Sequence, residues 1–313
     1  MKSNLISVIL PTYNRAHLLP RAIESVLAQT FSNWELIIWD DGSTDATQEV
    51  MNGFRDSRIH YSCADNHGQA YALNQAFQLA HGDYIAFLDD DDQWVENKLE
   101  RQLESFANYP NLDIVFANFL NINHSTGKRI KGFDQEREAL QKLQVHRLSD
   151  HDYLIQDGLL PALAESNFIA SDSALLKREA MLKIGPFNGN LEVGLDLEFW
   201  WRASLLDLTF AFTDDILMIR NKLPGGLTSS QVSTLHNHLR ALDACAQDLR
   251  AFGREELLPV LTGAYRNAWQ NLIEIYGKQK DMAGVLEAFN NACKYGFQPG
   301  TLGAFMRALI QIL

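Results

Sequence analysis

The stretch YIAFLDDDDQW, residues 84–94, runs five apolar residues into four consecutive aspartates. The apolar part is typical of a buried β-strand. Clustered carboxylates repel one another, which raises their pKa values and lowers stability unless a positive charge offsets them. A divalent cation is the natural counter-charge, because Mg²⁺ and Mn²⁺ prefer oxygen ligands and complete their coordination with phosphate oxygens and water. The stretch therefore predicts a strand that ends at a ligand site.

Strand and helix patterns alternate through roughly the first 120 residues of the chain. We predict five strands, each a short apolar run followed by a turn or a helical pattern. They are SVILPTYN (residues 7–14), WELIIWDDGS (34–43), RIHYS (58–62), DYIAFL (83–88) and LDIVFANFL (112–120). Apolar strands separated by helices are typical of an α/β sheet, mostly parallel and covered by helices on both faces.

Three of the predicted strands end in polar or acidic side chains. These are Thr12, Tyr13 and Asn14 after the first strand, Asp40 and Asp41 after the second, and residues 89–92 after the fourth. In parallel α/β sheets, ligands bind beyond the carboxyl ends of the strands. An isolated acidic turn would favour a solvated surface feature, but the second aspartate pair favours a ligand cleft.

The remainder of the chain is less regular. Residues 123–152 are polar and predict a loop with a helical piece, and everything from residue 231 onward has a helical pattern. Between them we predict a strand at 167–176, a helix at 195–206, short strands at 209–213 and 216–220, and a loop at 223–230. The predicted organisation is an α/β domain, residues 1–230, followed by a helical region, residues 231–313.

Composition narrows the classes of function. The 313 residues are 46% hydrophobic, enough for a sizeable core, and the net charge of −12 argues against a nucleic-acid partner. Three distant cysteines show neither metal-site nor disulfide spacing, which favours a reducing cytoplasm. The N-terminus lacks a signal-peptide pattern, and no apolar run approaches the ~18 residues of a membrane span. We expect a cytoplasmic protein that could also lie at the inner face of a membrane.

Six segments, taken in order, resemble family 2 glycosyltransferases with the GT-A fold. SVILPTYNR, ELIIWDDGSTD, NHGQAYALNQAF and GDYIAFLDDDDQW are similar to the family's donor-binding half. NFIASDSALLKREAMLKIGPFN and GLDLEFWWRA are similar to its acceptor side. The resemblance implies a donor half at about residues 1–122 and an acceptor half at about 123–230.

The resemblance implies a metal-dependent, inverting, hexosyltransferase-type enzyme. Such an enzyme moves a sugar from a nucleotide sugar, with a UDP-sugar favoured, to a hydroxyl of a glycan or lipid-linked saccharide. The setting that it implies is the synthesis of cell-surface polysaccharide.

The resemblance also implies roles for individual residues. Those expected along the donor nucleotide are Pro11, Thr12, Tyr13, Asp40, Asp41, Asn66, Gly68, Asp89 and Asp90. Asp91 and Asp89 are the expected ligands of Mn²⁺ or Mg²⁺. Asp196 is the expected general base, at a helix start where the macrodipole favours an ionised carboxylate. Trp200 and Trp201 either line a sugar pocket or pack in the core.

Two segments depart from the family pattern. Many members have Ala-Arg-Asn where this chain has ALN, residues 72–74, so a cation that could meet the diphosphate is missing. Many also have Arg-X-His where this chain has RNK, residues 220–222. Lys222 either supplies a positive charge to the donor, as a flexible ammonium group, or is a solvated loop lysine.

Two other classes of function remain compatible with acidic strand ends. A nucleotidyltransferase that makes nucleotide sugars would need a Gly-rich, basic loop after the first strand, and LPTYNRAHLLP, residues 10–20, has no glycine. A nucleotide- or carbohydrate-binding module without turnover would have no need of Asp91 and Asp196.

The C-terminal segment TLGAFMRALIQIL, residues 301–313, forms a helical pattern with one large apolar face. The residues of that face are Leu302, Phe305, Met306, Leu309, Ile310 and Leu313. Peripheral contact with a membrane is one interpretation, but a basic polar face would be expected and Arg307 is the only charge. Packing against the helical region or a second subunit is favoured.

Overall fold

The structure is a computed structural model that describes residues 4–223 and 231–312. Its strands are β1 (Ile6–Thr12), β2 (Trp34–Asp40), β3 (Ile59–Cys63), β4 (Tyr84–Phe87), β5 (Gln93–Trp94), β6 (Ile114–Asn123), β7 (Arg129–Lys131), β8 (Gln144–Arg147), β9 (Asp152–Asp157), β10 (Leu175–Lys177) and β11 (Phe210–Lys222). Its α-helices are α1 (Leu19–Leu27), α2 (Thr47–Met51), α3 (Gln69–Leu79), α4 (Lys98–Asn108), α5 (Gly132–Gln135), α6 (Arg137–Leu140), α7 (Leu159–Glu165), α8 (Arg178–Ile184), α9 (Leu195–Ser204), α10 (Gln231–Ala251), α11 (Thr262–Lys278), α12 (Met282–Lys294) and α13 (Pro299–Ile312). Two 3-10 helices span Ser171–Ser173 and Glu255–Leu261.

One sheet runs through the α/β part in the order β3-β2-β1-β4-β10-β6-β11-β9-β8. The strands β3, β2, β1 and β4 are parallel to one another, and β6 is parallel to β11. Between these two parallel groups, β10 is antiparallel to both neighbours. The predicted α/β class, with a mostly parallel sheet flanked by helices, is confirmed.

Both faces of the sheet are buried, as the near-continuous apolar strands predict. On β1, Ile6, Val8 and Leu10 pack in one core cluster with residues of α1. The intervening Ile9 belongs to a second cluster, which also contains residues of α3, α9 and α10. The two-residue alternation of a strand thus divides a near-continuous apolar segment between two cores.

Strand register brings the polar strand ends to one edge of the sheet. Thr12 pairs with Asp40, and Ile9 pairs with Phe87, the last residue of β4. The residues after Phe87 therefore continue beside the end of β1. Residues 89–92 reach the same edge as Asp40, which places the candidate site at the carboxyl ends of the parallel strands.

The strand predicted at residues 167–176 is wrong for most of its length. Only β10 is a strand, and it follows the 3-10 helix Ser171–Ser173. Ser173 Oγ donates to the Ala170 carbonyl at 2.7 Å, and the Asp172 carboxylate accepts from the backbone of Asp89 at 3.1 Å. Such side-chain bonds to the backbone compete with strand pairing.

Other sequence predictions differ from the structure in detail. The two short strands predicted at 209–213 and 216–220 form the single strand β11, whose register against β6 shifts between Thr213 and Met218. The polar segment 123–152 contains helices but also the short strand β8 and the start of β9.

The predicted C-terminal helical region is present as α10 to α13. It does not have a separate core, since Trp200 of α9 and Leu242 of α10 belong to the same cluster. The division into domains at residue 230 stays a prediction, and the predicted loop at 223–230 lies almost wholly outside the described residues. No helix in the described ranges is both long and apolar enough to cross a membrane.

Candidate active site

Asp40 and Asp41 form the turn after β2, and both are buried. Asp40 accepts hydrogen bonds from the backbone of Ser43 at 2.8 Å and from the Tyr61 hydroxyl at 2.5 Å. Asp41 accepts from the backbone amides of residues 67 and 68, at 3.0 and 2.7 Å. Both carboxylates thus shape the loops around the predicted nucleotide position. A contact of Asp40 with the base stays a prediction, as do the roles of the exposed Asn66 and Gly68.

Asn14 holds the end of β1 against this turn. It has a left-handed backbone, with φ of 53°, and its side-chain oxygen accepts from the backbone of Thr44 at 2.7 Å. Gly42 has a φ of +83°, and a Cβ there would lie 2.8 Å from the backbone nitrogen of Asn66. Tyr13 projects from this edge with 46% of its surface exposed, so its ring is available for stacking.

Asp90 and Asp91 lie beside Arg15, which is three residues beyond the end of β1. Thr12 Oγ1 donates to Asp90 at 2.7 Å, and Arg15 Nη1 donates to Asp90 and Asp91 at 3.2 and 2.6 Å. Burial raises the pKa of Asp90 to about 6, although Arg15 opposes the rise. Arg15 supplies a cation at this edge, at a different position from the arginine that residues 72–74 lack.

Asp89, Asp92 and Asp172 form a second carboxylate group, referred to below as the acid cluster. Their carboxylate oxygens lie within 4.8 Å of one another, and Asp92 shares a hydrogen bond with Asp172. Burial, followed by the charge of Asp172, raises the pKa values of Asp89 and Asp92 well above the usual range. Trp94 anchors the cluster, since its indole nitrogen donates to the Asp172 carbonyl at 2.9 Å.

A divalent cation fits the acid cluster. All three donors are carboxylate oxygens, the ligand type that Mg²⁺ and Mn²⁺ prefer. The raised pKa values show that burial and mutual repulsion outweigh the protein's own counter-charges, and a bound cation would relieve both. Mn²⁺ or Mg²⁺ therefore stays the expected cofactor. Asp91, a predicted ligand together with Asp89, is engaged by Arg15 in this structure.

Arg220 of β11 links the acid cluster to the predicted base. Burial lowers the pKa of Arg220, but neighbouring carboxylates produce a net rise. Those carboxylates are Asp92, Asp196, Asp172 and Asp89. The next residue, Asn221, donates from its backbone to Asp92 at 2.8 Å, which fixes β11 against the cluster. Lys222, the predicted cation of this segment, is exposed, so its contact with the donor stays a prediction.

Asp196 lies in the first turn of α9, and its carboxylate accepts from the backbone of Leu197 at 2.9 Å. The preceding Gly194 has a φ of +83°, and a Cβ there would lie 2.8 Å from Cβ of Ala241 on α10. His238 lies one turn before Ala241. Burial lowers the pKa of His238, and Asp196 is near enough to oppose that shift. The helical region therefore reaches the predicted base.

The other candidates on α9 are buried. Trp200 and Trp201 are 0% and 1% exposed and belong to the core cluster, which matches the core-packing alternative for both. Glu198 is also buried and pairs with Arg202 at 2.6 Å. Of the acidic side chains in the first turn of α9, Asp196 alone is partly exposed.

Sequence reasoning missed several residues of this site. They are Arg15, Asp172, Arg220 and His238. Arg15 lies next to the predicted end of the first strand, and this position alone would have made it a candidate site residue. The sequence pattern places Asp172 in a strand, the departure from the family pattern points to Lys222 rather than Arg220, and His238 lies on a helix outside the resemblance.

The family model described as Glycosyl transferase family 2 matches residues 7–164, about half of the chain. The chain belongs to this family. It is 31% identical over 237 residues to glycosyltransferase GlyG of Streptococcus pneumoniae, covering 73% of this chain and 74% of that protein. The predicted family is confirmed.

Other relatives of this family 2 chain are more similar over shorter stretches. It is 41% identical over 127 residues to the Escherichia coli UDP-Glc:alpha-D-GlcNAc-diphosphoundecaprenol beta-1,3-glucosyltransferase WfgD, covering 40% of this chain and 50% of WfgD. It is 46% identical over 103 residues to the putative teichuronic acid biosynthesis glycosyltransferase TuaG of Bacillus subtilis, covering 32% of this chain. The chain thus spans 50% of the length of WfgD and 41% of TuaG.

Solved structures share the fold of this family 2 chain. Staphylococcus aureus TarS 1-349 in complex with UDP-GlcNAc superposes with a TM-score of 0.60 at 17% identity, covering 94% of this chain and 91% of that one. The mannosyltransferase PcManGT from Pyrobaculum calidifontis, in complex with GDP-Man and Mn²⁺, gives 0.60 at 14% identity, covering 100% of this chain and 87% of that one. The predicted GT-A fold is confirmed.

Proposed function

We propose that the chain is a metal-dependent, inverting glycosyltransferase. It transfers a sugar from a nucleotide sugar, with a UDP-sugar favoured, to a hydroxyl of a glycan or lipid-linked saccharide. The observation that carries the proposal is the meeting of three features at one sheet edge. These are the acid cluster, the Asp40–Asp41 turn and the half-buried Asp196, with Arg220 between the cluster and Asp196.

The relatives support the choice of donor and acceptor. WfgD is named for UDP-Glc and for an acceptor carried on diphosphoundecaprenol, and TarS was solved with UDP-GlcNAc. PcManGT was solved with GDP-Man and Mn²⁺, so the shared fold accommodates two kinds of base. A UDP-sugar and a lipid-linked acceptor at the cytoplasmic face of a membrane are the corresponding expectations for this chain, within cell-surface polysaccharide synthesis.

The chain's own residues would position the donor. Tyr13 offers an exposed ring to the base, and Asp41 fixes the loop of residues 66–68 beside it. The acid cluster, together with Asp91, would hold the divalent cation, which neutralises charge on the leaving diphosphate when bound. Arg15 supplies a second positive charge at this edge, and a guanidinium suits phosphate oxygens because it donates along two directions.

Asp196 would remove the proton from the acceptor hydroxyl as that oxygen attacks the anomeric carbon. The new bond forms on the face opposite the leaving diphosphate, so a single displacement inverts the configuration. The guanidinium of Arg220 lies near both Asp196 and the acid cluster, so one cation serves both groups of carboxylates. His238 and the packing of α10 on α9 would hold Asp196 in place.

Asp196→Asn tests the proposal because it preserves shape and removes basicity. We expect normal folding, near-normal UDP affinity, and transfer slowed about 10²–10⁴-fold, the range for loss of a general base. Turnover would be measured by release of nucleoside diphosphate with a panel of nucleotide sugars and acceptors, and affinity by calorimetry. Glu192→Gln is the matched control, because Glu192 is an exposed acid four residues before Asp196.

Two outcomes would contradict the assignment. If Asp196→Asn keeps more than about a tenth of the wild-type rate, the base lies elsewhere. If wild-type protein binds UDP with Mn²⁺ but turns over none of the donors with any acceptor, a binding module describes the chain better. A preference for ADP over UDP and GDP would contradict the predicted contact of Asp40 with the base.

A further inference from the structure

The last two helices expose an unusual number of large apolar side chains. We call the set the C-terminal apolar surface: Met282, Leu286, Phe297, Leu302, Met306 and Ile310. Met306 and Ile310 are 50% and 72% exposed. Single exposed apolar residues are normal on soluble proteins, but a contiguous set marks an interaction surface.

Helix packing explains why these side chains face outward. The buried residues of α13 are small, namely Thr301, Ala304 and Ala308. A Cβ on Gly277 of α11 would lie 2.6 Å from Cβ of Ala308, so the two helices approach closely through small residues. Leu302, Met306 and Ile310, spaced four residues apart, form a stripe away from that contact. Part of the large apolar face of α13 is therefore exposed to solvent instead of packing against the other helices.

The surface continues from α13 onto α12. The rings of Phe289 and Phe305 lie 4.3 Å apart between their centroids, which joins the two helices along their length. Leu286 lies one turn from Phe289, and Leu302 lies one turn from Phe305. The exposed residues therefore flank a shared aromatic contact rather than lying on separate sides of the helical region.

Basic side chains lie around this surface. Lys278, Lys280 and Lys294 are exposed, and the contact of Gly277 with Ala308 places Lys278 beside the C-terminal half of α13. Residues 262–312 contain five Lys or Arg and three Asp or Glu, a net charge of +2, whereas the whole chain carries −12. The remainder therefore carries −14, so residues 262–312 are a net positive part of an acidic chain, even though Asp281 and Glu287 are exposed there and Arg307 pairs with Glu274.

We propose that the C-terminal apolar surface docks on an anionic lipid bilayer. Apolar side chains at the centre and lysines at the margin match the acyl boundary and the charged headgroups of such a bilayer. A second copy of the chain is the alternative occupant, and the oligomeric state distinguishes it from a bilayer. Docking would hold the catalytic edge near a lipid-linked acceptor, a consequence that rests on the proposed function.

Vesicle co-sedimentation with the full chain tests the docking. The vesicles would contain about 30% phosphatidylglycerol in phosphatidylethanolamine, compared with pure phosphatidylcholine. We expect the anionic vesicles to bind more protein, and Leu302→Gln/Met306→Gln/Ile310→Gln to weaken binding at least about tenfold. Lys278→Gln/Lys280→Gln should weaken it about fivefold per lysine at low salt and much less at high salt.

The matched control replaces exposed apolar residues elsewhere, as Leu79→Gln/Val145→Gln/Leu182→Gln. It should change vesicle binding less than about twofold. We call Leu302→Gln/Met306→Gln/Ile310→Gln the α13 variant. Equal binding of anionic vesicles by wild type and the α13 variant would overturn the proposal. A second result would also overturn it: wild type forms a concentration-dependent dimer in sedimentation velocity and does not bind vesicles, and the α13 variant does not dimerise.

The same samples separate this proposal from the proposed function. UDP binding with Mn²⁺ should be unchanged in the α13 variant, because none of its three positions is near the carboxyl edge. If wild-type protein binds UDP but does not bind anionic vesicles, the docking alone would be overturned. If wild-type protein binds anionic vesicles but does not bind UDP, the proposed transferase function alone would be overturned.

Discussion

The donor half of the sheet and the C-terminal helices depart from ordinary packing in opposite directions. At the donor edge, charged groups are buried, including Asp90, Asp92 and Lys98. In the last two helices, large apolar groups such as Met306 and Ile310 are exposed. Charged residues are seldom buried unless paired, and clustered apolar residues are seldom left in water. We propose that each departure is completed by a partner, a cation with its diphosphate in one region and a bilayer in the other.

The buried charges should make stability depend on pH and on a divalent cation. The pKa of Asp90 is raised by burial to about 6, against ~3.9 in an unfolded chain. Between these pH values the folded protein holds a proton that the unfolded chain releases. The free energy of unfolding should therefore fall as pH rises from about 4 to about 6, by up to ~3 kcal/mol from this group.

Denaturant unfolding in chelator, for wild type and Asp90→Asn, isolates this effect from other titrating groups. Wild type should lose stability relative to Asp90→Asn across that pH window. Mn²⁺ should stabilise wild type more at pH 7 than at pH 5, because the acid cluster binds a cation best when ionised. A wild-type stability that rises relative to the variant would show that Asp90 is ionised throughout, and the comparison of buried with exposed groups would lose its basis.

Arg15 provides a smaller test of the donor edge. Arg15→Gln removes a charge 2.6 Å from Asp91 while retaining hydrogen-bond donors. We expect the Kd for UDP, at saturating Mn²⁺, to rise about tenfold, equivalent to about 1.4 kcal/mol. Arg21→Gln is the control, since Arg21 is bonded to Gln93 on the neighbouring surface. An unchanged Kd would assign Arg15 to shaping Asp90 and Asp91 rather than to contact with the diphosphate.

Variants of His238 test whether the C-terminal helices also support catalysis by Asp196, in addition to the proposed docking. Burial lowers the pKa of His238, so the imidazole is neutral at pH 7 and carries one N–H donor. We expect His238→Ala to lower kcat about fivefold with an unchanged KM for the donor, the size of effect expected if this N–H donates a hydrogen bond to Asp196 during the reaction. His238→Gln, which keeps a donor, should recover most of the rate.

The control for His238 is His236→Gln on the same helix, where the imidazole contacts the Tyr276 hydroxyl at 3.0 Å instead. That variant should leave kcat unchanged. If His238→Ala alters neither kcat nor its pH profile, α10 supports Asp196 through packing alone, and the two regions are less coupled than the account holds.

The two regions were not equally predictable from sequence. Strand ends in the donor half follow from apolar runs that stop at Asp40 and Asp89, and parallel register brings such ends together without further information. Asp172 was unpredictable because its segment reads as a strand, while its carboxylate bonds to the backbone of Asp89. Long-range contacts of this kind leave no local pattern in the sequence.

For the C-terminal helices, the sequence predicted the elements but left open what their apolar face contacts. An amphipathic pattern groups Leu302, Met306 and Ile310 on one face, which could pack against the helical region, a second subunit or a membrane. Close helix contact instead used Gly277 and Ala308, since small residues let two backbones approach. A helix rich in both small and large apolar residues has two candidate inner faces, and only the packed structure distinguishes them.

The central claim is that the acid cluster, together with the partly exposed Asp91, holds a divalent cation that binds the donor diphosphate. Calorimetry of UDP with wild type and Asp91→Asn, each in Mn²⁺ and in chelator, tests it directly. The account predicts that Mn²⁺ tightens UDP binding to wild type at least about tenfold, or about 1.4 kcal/mol, and that Asp91→Asn, still folded, loses this gain. Equal UDP affinity in Mn²⁺ and in chelator for wild type would contradict it.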